Sequence, residues 1–171
     1  MTHLKMQRGA DNEILRAVSA PVPTNAQGVL KPDRKLAKFV EEMRETMFTE
    51  KGIGLAARQV GVNTRVVVCR FNHETPHEVI VAMINPVITH KSKEMVLSEE
   101  GCLSLPKQFD AIARHASLTV KYLDVKGREN VLKLEGLNAR IVQHEVDHID
   151  GHLYIDHLTD EATLRLKRAA G

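Results

Sequence analysis

The stretch QHEVDH, residues 143–148, has the H-E-x-x-H spacing on which the interpretation of the whole chain depends. On an α-helix, residues four apart share a face, so His144 and His148 can direct two imidazoles at one metal ion. Glu145 is turned by about 100° around the helix axis from His144. That position suits a general base beside a bound water rather than a third ligand. The stretch therefore predicts a metal-dependent catalytic site on a helix.

The residues around this motif predict that the helix is buried. Leu137 and Ile141 lie on the same helical face as the two histidines. A second apolar stripe consists of Val142, Val146 and Ile149. Gly151 is well placed to end the helix. A helix that is apolar around most of its circumference is a buried one, so a metal on this face has apolar walls nearby. The motif alone leaves open the alternative of two core histidines at helical spacing.

Length and composition indicate one globular domain, residues 1–171, with a sizeable core. The chain is 43% hydrophobic and 27% charged, which is ordinary for a soluble protein. Its net charge of +2 is too small to indicate a DNA partner, and no apolar run approaches the length of a membrane span. The first ten residues contain no apolar signal core. We therefore expect a cytoplasmic protein with neither DNA nor membrane as a partner. A monomer is also expected, although composition and charge do not bear on it.

The two cysteines have different surroundings in the sequence. Cys69 follows three valines in a predicted buried strand, where a packed thiol is expected. Cys102 lies next to Gly101, at a predicted strand end or turn. A disulfide between them is not expected in a reducing compartment.

Periodicity and turn residues predict helices at both ends of the chain and strands between them. Residues 11–18 form a short predicted helix, and residues 20–32 an irregular loop. Asp33 is the predicted N-cap of a long helix that reaches Thr49. Its apolar stripe consists of Leu36, Val40, Met43 and Met47. A basic amphipathic helix is predicted over residues 159–170.

The middle of the chain is predicted to be rich in β-strands. The predicted strands are residues 65–71, 79–84, 87–90 and 95–97, with a break at Asn85-Pro86. Residues 117–125 and 130–134 form a predicted hairpin. Strands in one block with helices at both ends predict an α+β fold. In this fold a mixed or antiparallel β-sheet packs around the buried metal-binding helix, with N- and C-terminal helices.

A catalytic zinc-type site needs a third protein ligand beside the two histidines. The extension H-E-x-x-H-x-x-G-x-x-H is followed as far as Gly151, but Tyr154 stands where its third histidine belongs. Glu161, in the first turn of the terminal helix, is one candidate. Cys102 is the preferred one, because a thiolate binds a borderline-soft ion well and Gly101 permits close backbone approach.

At this point the sequence resembles the peptide deformylase family. Three segments carry the resemblance: GIGLAARQ at residues 52–59, EGCLS at residues 100–104, and QHEVDH at residues 143–148 followed by Gly151. They match the family patterns G-x-G-L-A-A-x-Q, E-G-C-L-S and Q-H-E-x-D-H-x-x-G in the family order. Weaker similarities extend across most of the chain.

The resemblance implies an enzyme that removes the formyl group from the N-terminal methionine of nascent proteins, releasing formate. By this similarity the metal ligands are Cys102, His144 and His148. Glu145 is the general base, and the Gln59 side-chain amide and the Leu103 backbone N–H are the oxyanion donors. Without its motif, Gln59 is expected to be a surface helix residue. The metal of the family is usually ferrous iron, Fe2+, and Zn2+ or Ni2+ can occupy the site.

The resemblance also implies a substrate site for N-formylmethionyl peptides of nascent chains, at the ribosome. The backbone of Gly54 and its neighbours lies beside an extended peptide. The methionine pocket is bordered by Ile53, Leu137, Ile141 and the alkyl stem of Arg140.

Other residues are candidates for supporting roles around the metal. Asp147 and Glu100 are candidate partners of the bound histidines, and Arg114 is a candidate partner of Glu100. Phe109 departs from some family members, which have an arginine there that touches the peptide beyond methionine. The preference for residues after methionine is therefore open.

Three other hypotheses compete with the deformylase. A zinc endopeptidase needs Glu161 or another residue as third ligand and leaves Cys102 without a role. A structural zinc site needs a fourth protein ligand, such as His152, and leaves Glu145 without a task. A family member that has lost its activity is disfavoured because Gln59, Cys102 and Glu145 are all in place.

Overall fold

The computed structural model describes residues 3–28 and 30–170. In these ranges the α-helices are α1 Glu13–Arg16, α2 Arg34–Thr49, α3 Gly136–Ile149 and α4 Glu161–Ala170. The strands are β1 Gly54–Ala56, β2 Val66–Phe71, β3 Val79–Lys91, β4 Met95–Cys102, β5 Leu105–His115, β6 Ser117–Leu123 and β7 Glu129–Glu135. Two 3-10 helices span Ala57–Val60 and Tyr154–Thr159. Among the described helices, none has the length and apolar character needed to cross a bilayer.

The strands form two antiparallel sheets. One has five strands in the order β1-β2-β3-β6-β7, and the other is the pair β4-β5. Every pairing between described strands is antiparallel. The predicted α+β class is confirmed, in its antiparallel form.

Strand β2, an inner strand of the five-stranded sheet, is buried on both faces. Val67 and Cys69 pack in a core with residues of α3. Val66 and Val68, which point the other way, pack in a second core with residues of α2. Burial on both faces explains why residues 66–69 of β2 are a continuous apolar run instead of an alternating one. Packing against the face of β2 that carries Val67 and Cys69 therefore fixes α3, and with it the two histidines.

Helix α2 begins and ends where its sequence predicts. Asp33 is the N-cap, and its Oδ1 accepts a 2.9 Å hydrogen bond from the Lys35 backbone N–H. Of the predicted stripe, Val40, Met43 and Met47 are buried, and Leu36 packs against them half-buried. The loop predicted before this helix is irregular, and its residue 29 lies outside the described residues.

Helix α1 is a single turn, shorter than the predicted residues 11–18. The chain becomes extended at Ala17, and the backbone N–H of Ser19 donates a 2.8 Å hydrogen bond to the Ile149 carbonyl. This tertiary bond holds the extended residues 17–19 against the end of α3, so α1 does not continue for a further turn. Gly151, with φ +81°, stands just beyond α3, as predicted for a residue that ends a helix.

The predicted break at Asn85-Pro86 is wrong, because β3 runs through it. The pairing with β6 shifts register between Ile84 and Val87, and Asn85 adopts φ +51°. A bulge of this kind accommodates a proline, which has no N–H to donate to the ladder. The Asn85 side chain also bonds the backbone N–H and carbonyl of Val22, at 2.8 and 2.9 Å.

The second sheet was only partly predictable. Strand β4 continues beyond the predicted residues 95–97 to Cys102, and β5 was not predicted at all. Glu99, Glu100 and Gly101 have low strand propensity, so the end of β4 carries little local signal. Pairing with β5 from Met95↔His115 onward stabilises it instead. The predicted hairpin is confirmed as β6 and β7, and the predicted terminal helix begins at Glu161 after a 3-10 turn.

Candidate metal site and substrate groove

Two elements bring three ligand atoms together at the base of a groove. Helix α3 presents His144 and His148 one turn apart, with ring centroids separated by 4.9 Å. The end of β4 places Cys102 Sγ 3.2 Å from Nε2 of His148. The three ligand atoms all lie within 4.8 Å of one another, and no other such group occurs among residues 3–28 and 30–170.

The donor set fits a divalent transition metal. Ligands about 2.0–2.3 Å from one tetrahedral ion lie about 3.3–3.6 Å from each other. The 3.2 Å between Cys102 Sγ and His148 Nε2 is close to this spacing. Burial acts to raise the pKa of the Cys102 thiol, but the adjacent His148 and His144 lower it well below its ordinary value. A thiol with a lowered pKa supplies the thiolate that binds a metal.

The competing ligands lie outside the cluster. Glu161 is an exposed residue at the start of α4. The His152 side chain is 62% exposed, and its nearest acidic partner is Asp156, at 3.8 Å. Tyr154 stacks on His144, with centroids 6.3 Å apart. The structure thus brings Cys102 to the histidines and leaves Glu161 and His152 away from them.

Glu145 is a buried carboxylate directly beside the cluster. Burial raises its pKa to about 7, although the neighbouring His144 and His148 oppose the rise. Its Oε2 has no hydrogen-bond partner among the described residues. The backbone of β1 passes so close that a Cβ built on Gly54 would lie 2.2 Å from Oε1. Only glycine leaves room for this carboxylate.

Gln59 is buried next to Cys102, so the expectation of a surface helix residue is wrong. The 3-10 helix after β1 turns the side chain inward, and its Oε1 accepts a 2.8 Å hydrogen bond from the Ala56 backbone. Nε2 lies 3.6 Å from Cys102 Sγ and 3.3 Å from Oγ of Ser104. The N-terminal arm supports this turn, because the backbone N–H of Gln7 donates to the Gln59 carbonyl at 2.7 Å. Ser104 and this support were not predicted.

A groove of about 570 Å³ opens over the cluster. Its walls include Ile53, Gly54, Leu103, Leu137, Arg140 and Ile141. Leu137 is 49% exposed at its mouth, whereas Ile141 is buried. The Arg140 guanidinium donates to Glu100 at 2.6 Å and to the Val96 carbonyl at 2.7 Å. Every residue predicted to contact substrate therefore lines one groove.

Glu100 connects the cluster to two buried arginines. Its carboxylate is 3.0 Å from Nδ1 of His144 and accepts two hydrogen bonds from Arg114, at 3.0 and 3.1 Å, beside the one from Arg140. Burial acts to raise the pKa of Glu100, but His144 and Arg114 hold it well below the usual range. This buried charge is fully paired.

Asp147 is one step further from the cluster. It pairs with Arg114 and, at 2.8 Å, with Nε2 of His157. Burial acts to raise the pKa of Asp147, but His157 and Arg114 lower it to about 2. Nδ1 of His157 lies 2.7 Å from Asp160. His157 was not predicted to take part, because its partners depend on how the second 3-10 helix packs.

Comparison with known proteins agrees with the chemistry of this site, which combines a groove, a Cys/His/His cluster and a buried glutamate. A family model described as polypeptide deformylase matches residues 7–163. The chain belongs to the peptide deformylase family. It is therefore a metal-dependent hydrolase of the deformylase type, which removes the N-formyl group from peptides.

Similar deformylases come from several bacteria. The peptide deformylase of Rhizobium meliloti (strain 1021) is 39% identical over 146 residues, which is 85% of this chain and 80% of that protein. The peptide deformylase of Pelagibacter ubique (strain HTCC1062) is 40% identical over 148 residues, which is 86% of this chain and 82% of that protein.

Solved deformylase structures share the fold. The class I type b peptide deformylase from Acinetobacter baumannii, bound to K3U, superposes with a TM-score of 0.84 at 35% identity, covering 92% of this chain and 99% of that chain. A peptide deformylase from Synechococcus elongatus in complex with actinonin has a TM-score of 0.84 at 30% identity, covering 99% of this chain and 89% of that chain.

Proposed function

We propose that this deformylase removes the formyl group from the N-terminal methionine of nascent proteins, with one divalent ion held by Cys102, His144 and His148. The observation that carries the proposal is the convergence of three ligand atoms, a buried carboxylate and a buried amide at the base of one groove. An endopeptidase that takes Glu161 as its third ligand has no support from this arrangement.

The donor set restricts the ion without selecting one. Thiolate and imidazole donors suit several first-row divalent ions. We propose ferrous iron as the resident ion, with zinc or nickel as ions that fit the same donors. When bound, the ion supplies the Lewis-acid activation of water and of the formyl oxygen.

Glu145 moves the proton. Its buried carboxyl, with a pKa raised to about 7, exchanges a proton readily near neutral pH. It takes a proton from the attacking water and returns it to the amine nitrogen as the formamide C–N bond breaks. Gly54, whose lack of a side chain makes room for Oε1, keeps the carboxylate against the cluster.

Two donors stabilise the developing oxyanion. The Nε2 group of Gln59 lies at the cluster, fixed by the bond between Oε1 and the Ala56 backbone. The Leu103 backbone N–H follows the ligand Cys102 directly in the turn after β4. Donors that are already oriented lose little energy in reorganising when the charge develops.

The groove orients the peptide. Ile53, Leu137, Ile141 and the stem of Arg140 supply the apolar wall that a methionine side chain needs. Strand β1 is an outer strand of its sheet, with β2 as its partner, so its other side is available for pairing with an extended peptide. Gly54 allows the peptide backbone to come close.

The setting of the reaction is also proposed. We infer that the chain forms one catalytic domain and works as a cytoplasmic monomer on nascent chains at the ribosome. The two apolar cores built around α2 and α3 support one domain, because they share strand β2. Light scattering on the purified protein measures the oligomeric state.

The deciding experiment measures formate release from formyl-Met-Ala-Ser by protein purified without oxygen. Cys102→Ala removes a metal ligand, so metal content and formate release should both be lost. Cys69→Ala is the matched control, because Cys69 is also buried but packs in the core. An acetyl-Met-Ala-Ser peptide should remain intact.

Two results would contradict the proposal. If metal-loaded protein releases no formate, the proposed substrate is wrong. If Cys102→Ala keeps both metal and activity, the third ligand is another residue, and the endopeptidase hypothesis with Glu161 regains support. The metal content of the anaerobically purified protein tests the choice of iron.

A further inference from the structure

One buried arginine has no acidic partner. Arg58 lies between Ala57 and Gln59 in the first 3-10 helix and is only 6% exposed. Among residues 3–28 and 30–170, no carboxylate pairs with its guanidinium, and burial lowers its pKa. Burying a charge without a counter-ion costs free energy, which the hydrogen bonds of Arg58 must offset.

Arg58 binds an extended segment near the N-terminus, residues 18–20. Its Nη2 group donates to the Val18 carbonyl at 2.6 Å and to Oδ1 of Asn63 at 2.7 Å. The same Oδ1 atom accepts a 2.9 Å hydrogen bond from the backbone N–H of Ala20. Arg58 and Asn63 together therefore hold both ends of the segment beside the first 3-10 helix.

The segment also packs on the end of the metal-binding helix α3. The backbone N–H of Ser19 donates to the Ile149 carbonyl at 2.8 Å. A Cβ built on Gly151 would lie 2.5 Å from the Arg16 carbonyl oxygen, so the chain that leads into the segment rests directly on this glycine. Ile149 follows the proposed metal ligand His148. The segment thus connects the first 3-10 helix to the end of α3 that carries a metal ligand.

The first 3-10 helix depends on such contacts for its orientation. It has only four residues, and the hydrogen bonds of 3-10 helices have poorer geometry than those of α-helices. Its Gln59 holds the proposed oxyanion donor Nε2 beside Cys102. Oxyanion donors act because they are placed in advance, and a displacement of about 1 Å can cost about 10²-fold in rate.

We propose that Arg58 is a positioning residue, which fixes the oxyanion donor Gln59 relative to the metal-binding helix by holding the first 3-10 helix to residues 18–20. This inference rests on the proposed function, in which Gln59 stabilises the oxyanion. Arg58 does not line the groove, so it acts on the reaction through Gln59 and without contact to the peptide. Loss of its hydrogen bonds therefore slows the chemical step and leaves peptide binding unchanged.

The first test measures kcat and KM for formyl-Met-Ala-Ser with metal-loaded protein. Arg58→Met keeps an unbranched side chain but donates no hydrogen bond. It should lower kcat by about 10-fold, with KM and metal content unchanged. Both hydrogen bonds of Arg58 come from one nitrogen, so the ammonium group of Arg58→Lys can replace them. This conservative variant should stay within about 3-fold of the wild-type kcat.

Arg65→Met is the matched control for the loss of an arginine at this end of α3. The Arg65 guanidinium donates to Asp150 at 2.6 Å, so the variant weakens the packing there and leaves the hydrogen bonds of Arg58 in place. It should keep the wild-type kcat. Urea unfolding of both variants measures the stability that each loses. A lower kcat in Arg58→Met alone then reports on the position of Gln59 and not on general weakening of the fold.

A double-mutant cycle shows whether Arg58 acts through Gln59. Gln59→Ala alone should lower kcat by about 10²-fold, the usual effect of losing one oxyanion donor. Adding Arg58→Met should lower kcat by less than about 2-fold further, because the donor that Arg58 positions is already absent. A purely structural role of Arg58 would lower kcat by the same factor in both backgrounds. Single-turnover formate release measures all four proteins.

Hydrogen exchange of the metal-loaded proteins tests the inference without turnover. The backbone N–H groups of Gly61 and Val62 donate to the carbonyls of Arg58 and Ala57, each at 3.0 Å, and so report on the opening of the 3-10 helix. They should exchange faster in Arg58→Met than in the wild-type protein. Arg65→Met should keep the wild-type rates.

Asn63→Ala loosens the same segment and leaves the arginine in place. It removes the oxygen that Arg58 and Ala20 share, so it should lower kcat in the wild-type background but not in Gln59→Ala. This variant decides the question if Arg58→Met does not fold.

The outcomes separate this inference from the proposed function. A wild-type kcat in Arg58→Met, or in Asn63→Ala where it replaces that variant, would overturn the inference. Equal losses of kcat with and without Gln59→Ala would also overturn it. In either case formate release by the wild-type protein leaves the proposed function intact. Absence of release from the wild-type protein would overturn both.

Discussion

Glu100 lies 3.0 Å from Nδ1 of His144 and joins this proposed metal ligand to Arg114. The contact occupies Nδ1 of the imidazole and so leaves Nε2 for the metal. The carboxylate stays ionised because His144 and Arg114 hold its pKa far below the usual range against the effect of burial. Such partners fix the tautomer and orientation of a metal-bound histidine.

Glu100→Gln should weaken metal binding by about 10- to 100-fold, because the neutral amide orients His144 less firmly. It also leaves the buried Arg140 without its counter-ion and removes one of the two carboxylates that pair with Arg114, which costs about 3–5 kcal/mol of unfolding free energy. Chelator competition measures the first effect and urea unfolding the second. Glu99→Gln is the control, since this neighbouring carboxylate is exposed and should change neither. Unaltered metal affinity in Glu100→Gln would show that the contact does not support the site.

Glu145→Gln should keep the metal but lower kcat by about 10²- to 10⁴-fold, the usual contribution of a general base. The amide has nearly the same shape, so the groove and the three ligands stay in place. Metal analysis and single-turnover formate release measure the two properties. Glu161→Gln serves as the control and should be fully active. Normal turnover by Glu145→Gln would remove Glu145 from the mechanism, and loss of metal from Glu161→Gln would revive the endopeptidase hypothesis.

Gly54→Ala tests whether the glycine makes room for the general base. The new Cβ would lie 2.2 Å from Oε1 of Glu145, so the carboxylate must shift by about an ångström. A shift of that size in a reacting group can cost about 10²-fold in rate. Metal content should be unchanged. Gly28→Ala is the control, because nothing lies within 4 Å of its built Cβ, although its φ of +74° makes alanine mildly destabilising there. Full activity in Gly54→Ala would mean that the carboxylate has another stable position.

The proposed metal ligands were predictable because local patterns carry them. The apolar spacing around His144 and His148 specifies a buried helix whatever the rest of the chain does. The sequence does not give the distances of Cys102 and Glu161 from the two histidines. The choice of Cys102 rested instead on the affinity of a thiolate for the metal and on the family pattern. In the structure, Cys102 Sγ lies beside Nε2 of His148.

The parts that escaped prediction depend on contacts between distant segments. Strand β5 carries weak local signal, with Pro106 near its start and a buried Arg114 near its end. Its stability comes from pairing with β4 and from the ion pair of Arg114 with Glu100. The sequence alone does not distinguish the buried Arg114 from a solvated arginine, because its partner Glu100 lies 14 residues away. The bulge at Asn85 was missed for the same reason, since proline alone indicates a break.

His157→Gln should change how stability depends on pH. The hydrogen bond with Asp147 raises the pKa of His157 above 6.5, against the opposing effect of burial and of Arg114. Asp147 has a pKa of about 2 and stays ionised throughout the relevant range. The folded protein therefore binds a proton that the unfolded chain has already released, so unfolding free energy falls as pH rises. The stabilising contribution is complete below pH 6.5 and disappears as pH rises through the folded pKa.

Thermal unfolding of the metal-loaded protein between pH 5.5 and 8.5 measures this difference. Glutamine does not titrate, so His157→Gln should be less stable than the wild-type protein by about 1 kcal/mol at pH 5.5, a shift of about 2–4 °C. The two proteins should converge at the alkaline end, because the proton that strengthens the contact of His157 with Asp147 is gone. His152→Gln is the control, since its side chain is 62% exposed. A constant gap between His157→Gln and wild type across the range would mean that His157 stabilises the fold through packing, with no contribution from its charge.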